Sequence, residues 1–356
     1  MCTSAALASQ NERTLPLMQA ILVEQGADGP QLMLRERAVP VPGPRDVRIL
    51  VHAASVNRAD LAQRSGTHEP AVPGSPPPVV GLDAAGEVVE IGSDVTSLRV
   101  GDRVMTIVGG GLSEHIVVDA ALPIPIPDGW SYAEGAAAVL GLLTEHNALR
   151  THGRLQPGET VLVHAAASSV GLQCVQLAKY LGAGLVIGTT RSAGMTTLIR
   201  SVGADQVLVV DDDGFAEQVL ALTDGHGADV IVDHVGGPYL ADNIRSAAIA
   251  GRIIGVGRLG GSEGTLDLEM LAYKRLALHG VTFRTRSTQD KIDLVAALRA
   301  DVDLGSPVLR PLIDRIMPWT EADAAQTLMR TNSSLGKIVL AVGDAAAENS
   351  NTGNSH

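Results

Sequence analysis

Between residues 160 and 257 the chain alternates short apolar runs with stretches of helical spacing, and this pattern constrains the fold more than any other feature. The apolar runs, all rich in β-branched residues, are TVLVHA, GLVIGTT, QVLVV, ADVIVDHV and RIIGVG. Each of the first four is followed by a predicted helix, and these helices end at Lys179, Ser201, Leu222 and Ala250. Strands that alternate with helical crossovers form a parallel sheet covered on both faces. We therefore predict an α/β fold with a doubly wound parallel sheet of the Rossmann type.

The sequence before residue 132 is β-rich instead. Its short apolar runs are separated by Gly and Pro, and they are MQAILV, QLMLRERAV, DVRILVHAASV, VVGLDAAGEVVEIG, GDRVMTIV and SEHIVVDA. Single glycines inside these runs indicate bulges or tight corners. The pattern predicts a Greek-key-like β-barrel. A helix is predicted to begin at Tyr132, with Ser131 as its N-cap and Glu134 completing a capping box.

The C-terminal part is predicted to add a few elements to the first domain. They follow the run LALHGVTF and comprise a helix over residues 291–299, a strand-like VLRPLI, a helix over residues 321–329 and the strand KIVLAV. The small, polar chain ends, residues 1–16 and 344–356, are predicted to be disordered because they can bury too little apolar surface.

Charge and cysteine content exclude several classes of function. The formal net charge is −12 with a pI near 5.2, and no block of Lys and Arg offsets it, so neither nucleic acid nor an anionic membrane is an expected partner. No run of 18 apolar residues occurs, and the N-terminus lacks the features of a signal peptide. The only cysteines are Cys2 and Cys174, which cannot form a disulfide framework or a Cys-rich zinc site. A cytoplasmic location is therefore expected.

The turn after the first apolar run of the predicted parallel sheet has the composition of a phosphate-binding turn. In ETVLVHAAASSVGLQCVQLAKYLGA a strand, a run of small residues and a helix follow in the order that places a pyrophosphate on a helix N-terminus. Ala166, Ser168 and Gly171 occupy the three fingerprint positions. An ordinary strand–helix turn that prefers small residues is the alternative interpretation.

The end of the second run favours NADPH over NADH. GLVIGTT ends in Thr189 and Thr190, and Arg191 and Ser192 follow with no Asp or Glu beside them. An NAD enzyme usually places a carboxylate there for the ribose hydroxyls, whereas a cation and hydroxyls suit a 2′-phosphate. The alternative is that Arg191 is a solvated surface residue.

The sequence lacks the catalytic residues that several enzyme classes require. No tyrosine stands four residues before a lysine, as short-chain reductases require. None of the histidines lies in an HExxH pattern or beside a cysteine, so no metal is expected. The only nucleophile-elbow match, GGSEG at residues 260–264, lies in a Gly-rich loop, and the following TLDLEM is not expected to open a helix.

Six segments together resemble the zinc-free quinone-oxidoreductase branch of the medium-chain dehydrogenase/reductase superfamily. They are ASVNRADLAQRSG, GLDAAGEVVEIG, LQPGETVLVHAAASSVGLQCVQLAK, GADVIVDHVGG, GRIIGVGRLGG and LGKIVL, in the family's order and spacing. Zinc enzymes of the superfamily take metal ligands from a Cys and a GHE triplet. Here Ser55 stands near the Cys position, and Leu82 and Asp83 replace the His and Glu.

The resemblance implies two domains with a cofactor cleft between them. Residues 17–140 and 306–343 would form a discontinuous GroES-like catalytic domain around a Rossmann cofactor domain at residues 141–305. The positions that the resemblance assigns to cofactor binding are Asn57, Thr144, Ser168, Ser169, Val170, Val235, Val256, Gly257, Phe283 and Arg284, to which the sequence reading adds Thr189, Thr190, Arg191 and Ser192. Ser169 stands where relatives usually have Gly, and Val210 replaces a Tyr that contacts the 2′-phosphate.

The expected activity is therefore transfer of hydride from NADPH, or less favourably NADH, to a quinone or to the C=C bond of an α,β-unsaturated carbonyl compound. Asn57 and His68 are the predicted catalytic residues, because Asn57 would face the nicotinamide and His68 stands near a position where relatives have Tyr. His68 is equally well explained as a solvent-facing loop residue.

Two other function classes stay open. One is an NADPH-binding sensor or structural protein without turnover. The other is a different Rossmann-type enzyme such as a methyltransferase, although the absence of an acidic residue after the second run and the β-rich first domain argue against it. A homodimer is expected, because RIIGVG and LALHGVTF would form an apolar sheet edge that two-fold pairing would cover.

Overall fold

Two large sheets and one hairpin organise the chain in the computed structural model, which describes residues 16–27, 29–67, 77–210 and 214–343. The strands are β1 (Leu17–Gly26), β2 (Gly29–Ala38), β3 (Asp46–Ser55), β4 (Asp83–Ile91), β5 (Arg103–Ile107), β6 (His115–Asp119), β7 (Ile124–Pro125), β8 (Thr160–Val163), β9 (Leu185–Thr190), β10 (Gln206–Val209), β11 (Ala228–Asp233), β12 (Ala247–Gly255), β13 (Ala277–Gly280), β14 (Ile313–Pro318) and β15 (Lys337–Ala341). The predictions of disorder at residues 1–15 and 344–356 fall outside the described residues.

The helices connect and cover these sheets. They are α1 (Arg58–Arg64), α2 (Tyr132–His146), α3 (Ser169–Tyr180), α4 (Thr196–Ser201), α5 (Ala216–Leu222), α6 (Leu240–Ser246), α7 (Leu268–Tyr273), α8 (Thr288–Asp301) and α9 (Ala322–Arg330), and a π-helical turn, Asn147–His152, extends α2. No helix in the described ranges is long and apolar enough to cross a bilayer.

The first large sheet contains β-rich segments from both ends of the chain. Its order is β14-β15-β3-β4-β5-β7, with β6 also paired to β3, and β15 runs antiparallel to β3 as the predicted return of the C-terminus requires. Gly86 lies in β4 where a Cβ atom would come 2.0 Å from the Leu50 carbonyl oxygen, and the β3–β4 register shifts nearby. The glycine inside this apolar run therefore permits a close backbone approach, as expected. We call these strands, with β1, β2, α1 and α9, the barrel unit.

The second sheet is the predicted doubly wound parallel sheet. All its pairs are parallel, and its order is β10-β9-β8-β11-β12-β13. The chain steps outward from β8 to β10 and then crosses to β11 on the other side, so a crevice opens at the carboxyl ends of β8 and β11. The prediction of a Rossmann-type sheet is confirmed. We call β8–β13 and α3–α8 the parallel-sheet unit.

Helix α2 belongs to both units. The predicted capping box is present, because the Ser131 hydroxyl accepts from the Glu134 N–H and the Glu134 carboxylate accepts from the Ser131 N–H at 2.7 Å. The helix packs on β3, β4, β5 and β15 of the barrel unit and on α3 and α8 of the parallel-sheet unit. It therefore runs without interruption past residue 140, where the sequence predicted a domain boundary.

Candidate cofactor and active site

The carboxyl edge of the parallel sheet gathers most of the predicted cofactor residues. Each lies at the end of a strand or in the loop or helix start that follows it: Ser168, Ser169 and Val170 after β8; Thr189, Thr190, Arg191 and Ser192 at β9; Val235 after β11; Val256 and Gly257 after β12; and Phe283 and Arg284 after β13. In open α/β sheets, ligands bind at this edge, beside the point where the strand order reverses. The fold thus brings together residues that are more than 100 positions apart in the chain.

The turn between β8 and α3 is shaped for close approach to its backbone. Ser168 caps α3, with its hydroxyl accepting from the Gly171 N–H at 3.1 Å. A Cβ atom at Gly171 would lie 2.4 Å from the Ala165 carbonyl oxygen, and Ala165 itself has φ +48°, the left-handed region. Ser169 and Val170 open a twelve-residue helix whose first N–H groups point out of its end. This is the arrangement that binds a phosphate group at a helix N-terminus.

The two threonines and the two residues after them differ in what they offer a ligand. Thr189 is buried and its hydroxyl lies 3.0 Å from His164 Nδ1, while Thr190 is buried and its hydroxyl accepts from the Ser192 N–H at 3.2 Å. Both hydroxyls therefore serve the protein's own structure. Arg191 and Ser192 are exposed. The side chains that can meet a 2′-phosphate at this turn are those of Arg191 and Ser192.

A chain of buried hydrogen bonds lies at the carboxyl edge of the parallel sheet. It joins Thr189, His164, Asn243 and Asp233, and we call it the His164 network. His164 Nε2 lies 2.6 Å from Asn243 Oδ1, and Asn243 Nδ2 donates to Asp233 Oδ2 at 2.9 Å. Since Asn243 Oδ1 can only accept, His164 Nε2 carries a proton, and Nδ1 accepts from the Thr189 hydroxyl. Burial lowers the pKa of His164, which keeps the ring neutral.

Asp233 links the His164 network to the backbone of two loops. Its Oδ1 accepts from the N–H groups of Val235 at 2.7 Å and Gly236 at 2.9 Å. Its carbonyl oxygen accepts from the N–H groups of Val256 and Gly257, in the loop after β12. Three of the predicted cofactor residues thus take their positions from one buried aspartate.

Asn57 belongs to a second buried network, the Lys337 cluster, which consists of Ser55, Asn57, Asp60, Asp83 and Lys337. Asn57 follows β3 and caps α1, and its N–H donates to Asp60 Oδ2 at 2.7 Å. Its side-chain Nδ2 donates to Asp83 Oδ2 at 2.7 Å and to the Ser55 carbonyl oxygen at 3.2 Å. Lys337 Nζ donates to Asn57 Oδ1 at 2.5 Å. The amide predicted to face a substrate is therefore fully engaged by protein groups.

Burial dominates the electrostatics of the Lys337 cluster. It raises the pKa of Asp60 to about 8, and the nearby Asp83 adds to the rise, while the Asn57 N–H and the Lys337 ammonium oppose it. Burial also raises the pKa of Asp83 and lowers the pKa of Lys337, each opposed by the attraction between the two. With Asp60 protonated, one cation and one anion leave the cluster without net charge. Asp60 Oδ1 has no hydrogen-bond partner among the described residues.

The two units meet beside α1. Arg284, in the loop after β13, donates from Nη1 to the Thr67 carbonyl oxygen at 3.3 Å, across from the parallel-sheet unit to the barrel unit. Thr144 lies in α2 with its hydroxyl donating to the Leu140 carbonyl oxygen at 2.7 Å. Phe283 is half-buried against the main core. His68, the second predicted catalytic residue, lies outside the described residues.

Sequence reasoning missed most of the residues that hold this site together. Asp60 had a local signal, because it stands three residues after the Asn57 N-cap, as the acidic partner of a capping box does. No local sequence signal identified the other four residues, Lys337, His164, Asn243 and Asp233, because their partners are distant in sequence. Lys337 and Asn57, for example, are 280 positions apart. Helix α7 was also missed, and it begins at Leu268 because Asp267 caps it. Ser262 still lies in a loop between β12 and α7.

Two family models and several relatives match this chain. Residues 43–128 match the family of alcohol dehydrogenase GroES-like domains, and residues 169–298 match the family described as zinc-binding dehydrogenase. A quinone oxidoreductase from Pseudomonas aeruginosa is 34% identical over 324 residues, which cover 88% of this chain and 96% of the relative. The chain belongs to the quinone oxidoreductase branch of the medium-chain dehydrogenase/reductase superfamily. The predicted pairing of a GroES-like domain with a Rossmann-type domain is confirmed.

Two further relatives widen the picture of this quinone oxidoreductase family member. A Mycobacterium bovis polyketide synthase of phenolphthiocerol synthesis is 36% identical over 313 residues, which cover 85% of this chain but 14% of that much longer protein. A mycobacterial protein whose structure was solved as a complex with NADPH superposes with a TM-score of 0.78 at 30% identity, covering 91% of this chain and 99% of that one.

The residues of this family member do not fit a zinc ion, although one matching family is described as zinc-binding. Leu82 offers no ligand at the position of the superfamily's His. Asp83 already accepts from the Ser55 N–H at 2.6 Å, the Ser55 hydroxyl at 2.5 Å and Asn57 Nδ2. In the described ranges no group of three or more His, Cys, Asp or Glu side chains is arranged to hold a metal.

Proposed function

We propose that this quinone oxidoreductase family member is an NADPH-dependent, zinc-independent reductase that transfers hydride to a quinone or to the C=C bond of an α,β-unsaturated carbonyl compound. The observation that carries the proposal is the carboxyl edge, where the open end of α3 follows β8 and the exposed Arg191 and Ser192 follow the neighbouring strand β9. The first suits a pyrophosphate and the second a 2′-phosphate. The relative solved with NADPH supports the same cofactor.

The protein's own groups would bind and orient, because the nicotinamide supplies the hydride when it is bound. Ser169, Val170 and Arg191 would hold the phosphates, and Val235, Gly257 and Phe283 would line the rest of the dinucleotide. Asn57 would form a rigid polar wall of the cleft, because its amide is held by Lys337 and Asp83. An amide side chain does not titrate. A donor for the substrate oxygen would come from His68 or from water.

Reduction of a carbon–carbon double bond, which the sequence resemblance already implied, is further supported by the similarity to a polyketide synthase segment. Quinones and enones share an electron-poor carbon conjugated to a carbonyl group, so one site can present either to the same hydride. The two are distinguished by comparing kcat/KM across a panel of quinones and enones.

Two measurements on the purified protein test the proposed function. NADPH fluorescence should change on mixing, and NADPH absorbance should fall when a quinone or an enone is added. Binding without turnover on any member of the panel would favour the sensor or structural alternative. The absence of binding to either nucleotide would reject the proposal as a whole.

We also propose a homodimer. Strand β13 lies at the outer edge of the parallel sheet, and Leu278 in it is 46% exposed. Ile249 and Tyr273, on neighbouring elements, are also exposed. A second copy related by a two-fold axis would pair with this edge and cover the patch. Sedimentation equilibrium at micromolar concentration should give the mass of two chains, and the mass of one chain would contradict the proposal. The cytoplasmic location suggested by the two cysteines is likewise a proposal.

A further inference from the structure

One buried hydrogen bond joins α2 to the carboxyl edge of the parallel sheet. His234, which directly follows β11, places Nε2 at 3.0 Å from Glu145 Oε1 in the last turn of α2. Its other ring nitrogen, Nδ1, lies 2.8 Å from the carbonyl oxygen of His164. Both side chains are almost completely buried, with 3% of His234 and none of Glu145 exposed. Neither residue has a role in the site described above.

The contacts of His234 require a proton between its Nε2 atom and Glu145 Oε1. A carbonyl oxygen can only accept, so Nδ1 must carry hydrogen and donate to His164. Nε2 then faces Glu145 either as the donor of an imidazolium or as the acceptor of a neutral ring. In the first case Glu145 is a carboxylate, and in the second it is a carboxylic acid that donates. Both cases place one proton between Nε2 and Oε1 and leave the pair without net charge.

The surroundings keep that proton in place. The titratable groups facing the pair are Asp233 on β11, the neutral ring of His164 beyond β8 and the thiol of Cys174 on α3. Burial lowers the pKa of His234, but Glu145, the His164 carbonyl and Asp233 raise it, and the net direction is upward. Burial raises the pKa of the Cys174 thiol, and Glu145 raises it further, so the thiol stays protonated.

The position of His234 controls the loops on both sides of it. Val235 follows it directly, and the His234 carbonyl oxygen accepts from the Leu259 N–H at 3.1 Å, in the loop after β12. A Cβ atom at Gly257 would lie 2.4 Å from that same carbonyl oxygen, so this loop is packed against His234. On the other side of the bond, Thr144 directly precedes Glu145. The bond therefore sets the spacing between Thr144 on α2 and the loops that carry Val235 and Gly257.

We propose that Glu145 and His234 are positioning residues for the dinucleotide: they share one buried proton, and this bond holds α2 at the correct distance from the two loops that line the cofactor. The proposal rests on the proposed function, because it assigns that function's cofactor to these loops. It requires no contact between either residue and the cofactor.

The test compares NADPH affinity in four full-length proteins: wild type, Glu145→Gln, Glu145→Leu and Asp301→Leu. The Gln amide can donate to Nε2 of a neutral His234, so it keeps the bond without a removable proton. The Leu side chain removes the bond. Asp301→Leu is the matched control, because it removes a 2.9 Å histidine–carboxylate bond to His146, the next residue of α2, on the side that faces α8.

Glu145→Leu should raise the Kd for NADPH about tenfold, whereas Glu145→Gln and Asp301→Leu should stay within about twofold of wild type at neutral pH. The Kd of wild type for NADPH should also rise at alkaline pH, because the shared proton leaves and the lone pair of His234 Nε2 then faces the Glu145 carboxylate. In Glu145→Gln this alkaline rise should disappear. A far-downfield proton resonance from the shared hydrogen should be present in wild type and absent from Glu145→Gln.

Unchanged affinity in Glu145→Leu would overturn the positioning role, and a Gln variant as weak as the Leu variant would overturn the proton-sharing bond. If Glu145→Leu does not fold, the decision passes to Glu145→Gln, where an alkaline rise equal to that of wild type would overturn the proposal. Failure of the proposed function is separate, since it shows as wild-type protein that binds neither NADPH nor NADH. The positioning role would then fail with it, and the resonance in cofactor-free protein would still decide whether the bond shares a proton.

Discussion

The barrel unit and the parallel-sheet unit each bury a polar network, and the two are built from different chemistry. The Lys337 cluster contains an ammonium group and two carboxyl groups. The His164 network joins a hydroxyl, a neutral imidazole and an amide to a single carboxylate, Asp233. Both networks include or position residues that were predicted to bind the cofactor, yet only the first depends on opposite charges held out of water.

This difference indicates different duties. Each polar group of the His164 network is satisfied by a neighbour and its histidine stays neutral, so we expect this network to fix loop geometry over a wide pH range. Buried charges must balance each other, so the Lys337 cluster is sensitive to the loss of any member and to pH. We expect the Lys337 cluster to be the more fragile of the two networks, and the His164 network to be the more robust.

The largest effect is expected from Lys337→Met, which removes the only cation of the Lys337 cluster. Asp83 would remain buried without its counter-charge and Asn57 Oδ1 without its donor, so the free energy of unfolding should fall by about 3–5 kcal/mol. Urea denaturation measures the change. The double variant Lys337→Met with Asp83→Asn should recover part of it. Lys179→Met is the control, because it removes an ion pair with Asp205 that is about one-third exposed and should change stability by less than about 1 kcal/mol.

Asp60→Asn tests whether the Lys337 cluster makes the stability of the protein depend on pH. The raised pKa of Asp60, about 8, means that between its ordinary value and pH 8 the folded state binds a proton that the unfolded state has lost. Wild-type stability should therefore fall as pH rises through that interval, with a limiting slope of about 1.4 kcal/mol per pH unit, and level off above pH 8. The Asn variant has no proton to lose there.

The difference in unfolding free energy between Asp60→Asn and wild type should thus grow in favour of the variant from pH 5 to pH 8. Titratable groups common to both proteins cancel in this difference. Parallel stability curves for the two proteins would show that Asp60 ionises normally and that the Lys337 cluster is not the pH-sensitive network.

Arg191→Ala probes the cofactor edge, where the expected change is in affinity. Wild type should bind NADPH at least about tenfold more tightly than NADH, roughly 1.4 kcal/mol, and the variant should lose most of that preference. Arg200→Ala, an exposed arginine of α4, removes the same charge from the same unit and should keep the preference. Equal affinities for the two nucleotides in wild type would refute the assignment of Arg191 to the 2′-phosphate.

The smallest effect is expected from metal removal. Dialysis against a chelator should leave both the activity and the melting temperature unchanged, because Asp83 already accepts three hydrogen bonds from protein groups and Leu82 is not a ligand. Elemental analysis is the independent check. Stoichiometric bound zinc in the purified protein would contradict this prediction.

Local patterns in the sequence predicted the elements well where one short segment carried the whole signal. The Ser131–Glu134 capping box and the strands of the parallel sheet are examples. The predicted helix to Ala250 is wrong beyond Ser246, because Ala247 pairs with Ala228 in β12, and the sheet overrides the helix propensity of the alanines. The run VLRPLI forms a 3₁₀ turn at Pro307–Leu309, and β14 begins only at Ile313.

The candidate site was predictable in its outline and not in its supports. Positions at strand ends carry a sequence signal, so the turn after β8 and the Arg191 turn could be named in advance. The Lys337 cluster could not, since no local pattern links Lys337 to Asn57. The same holds for Thr189, which the sequence placed at the cofactor and the structure shows hydrogen-bonded inward to His164.

The three hydrogen bonds that Asp83 accepts also limit how readily a metal site could be introduced beside it. A single replacement of Leu82 by histidine would add one ligand but not a metal site, because the neighbouring carboxylate already accepts three hydrogen bonds and a buried ammonium group lies in the same cluster. An incoming dication would meet the charge of Lys337 before it met a free ligand. The lysine would have to be lost first, at a large cost in stability. A metal site here would therefore require substitutions at both Leu82 and Lys337, and the loss of Lys337 is the destabilising step.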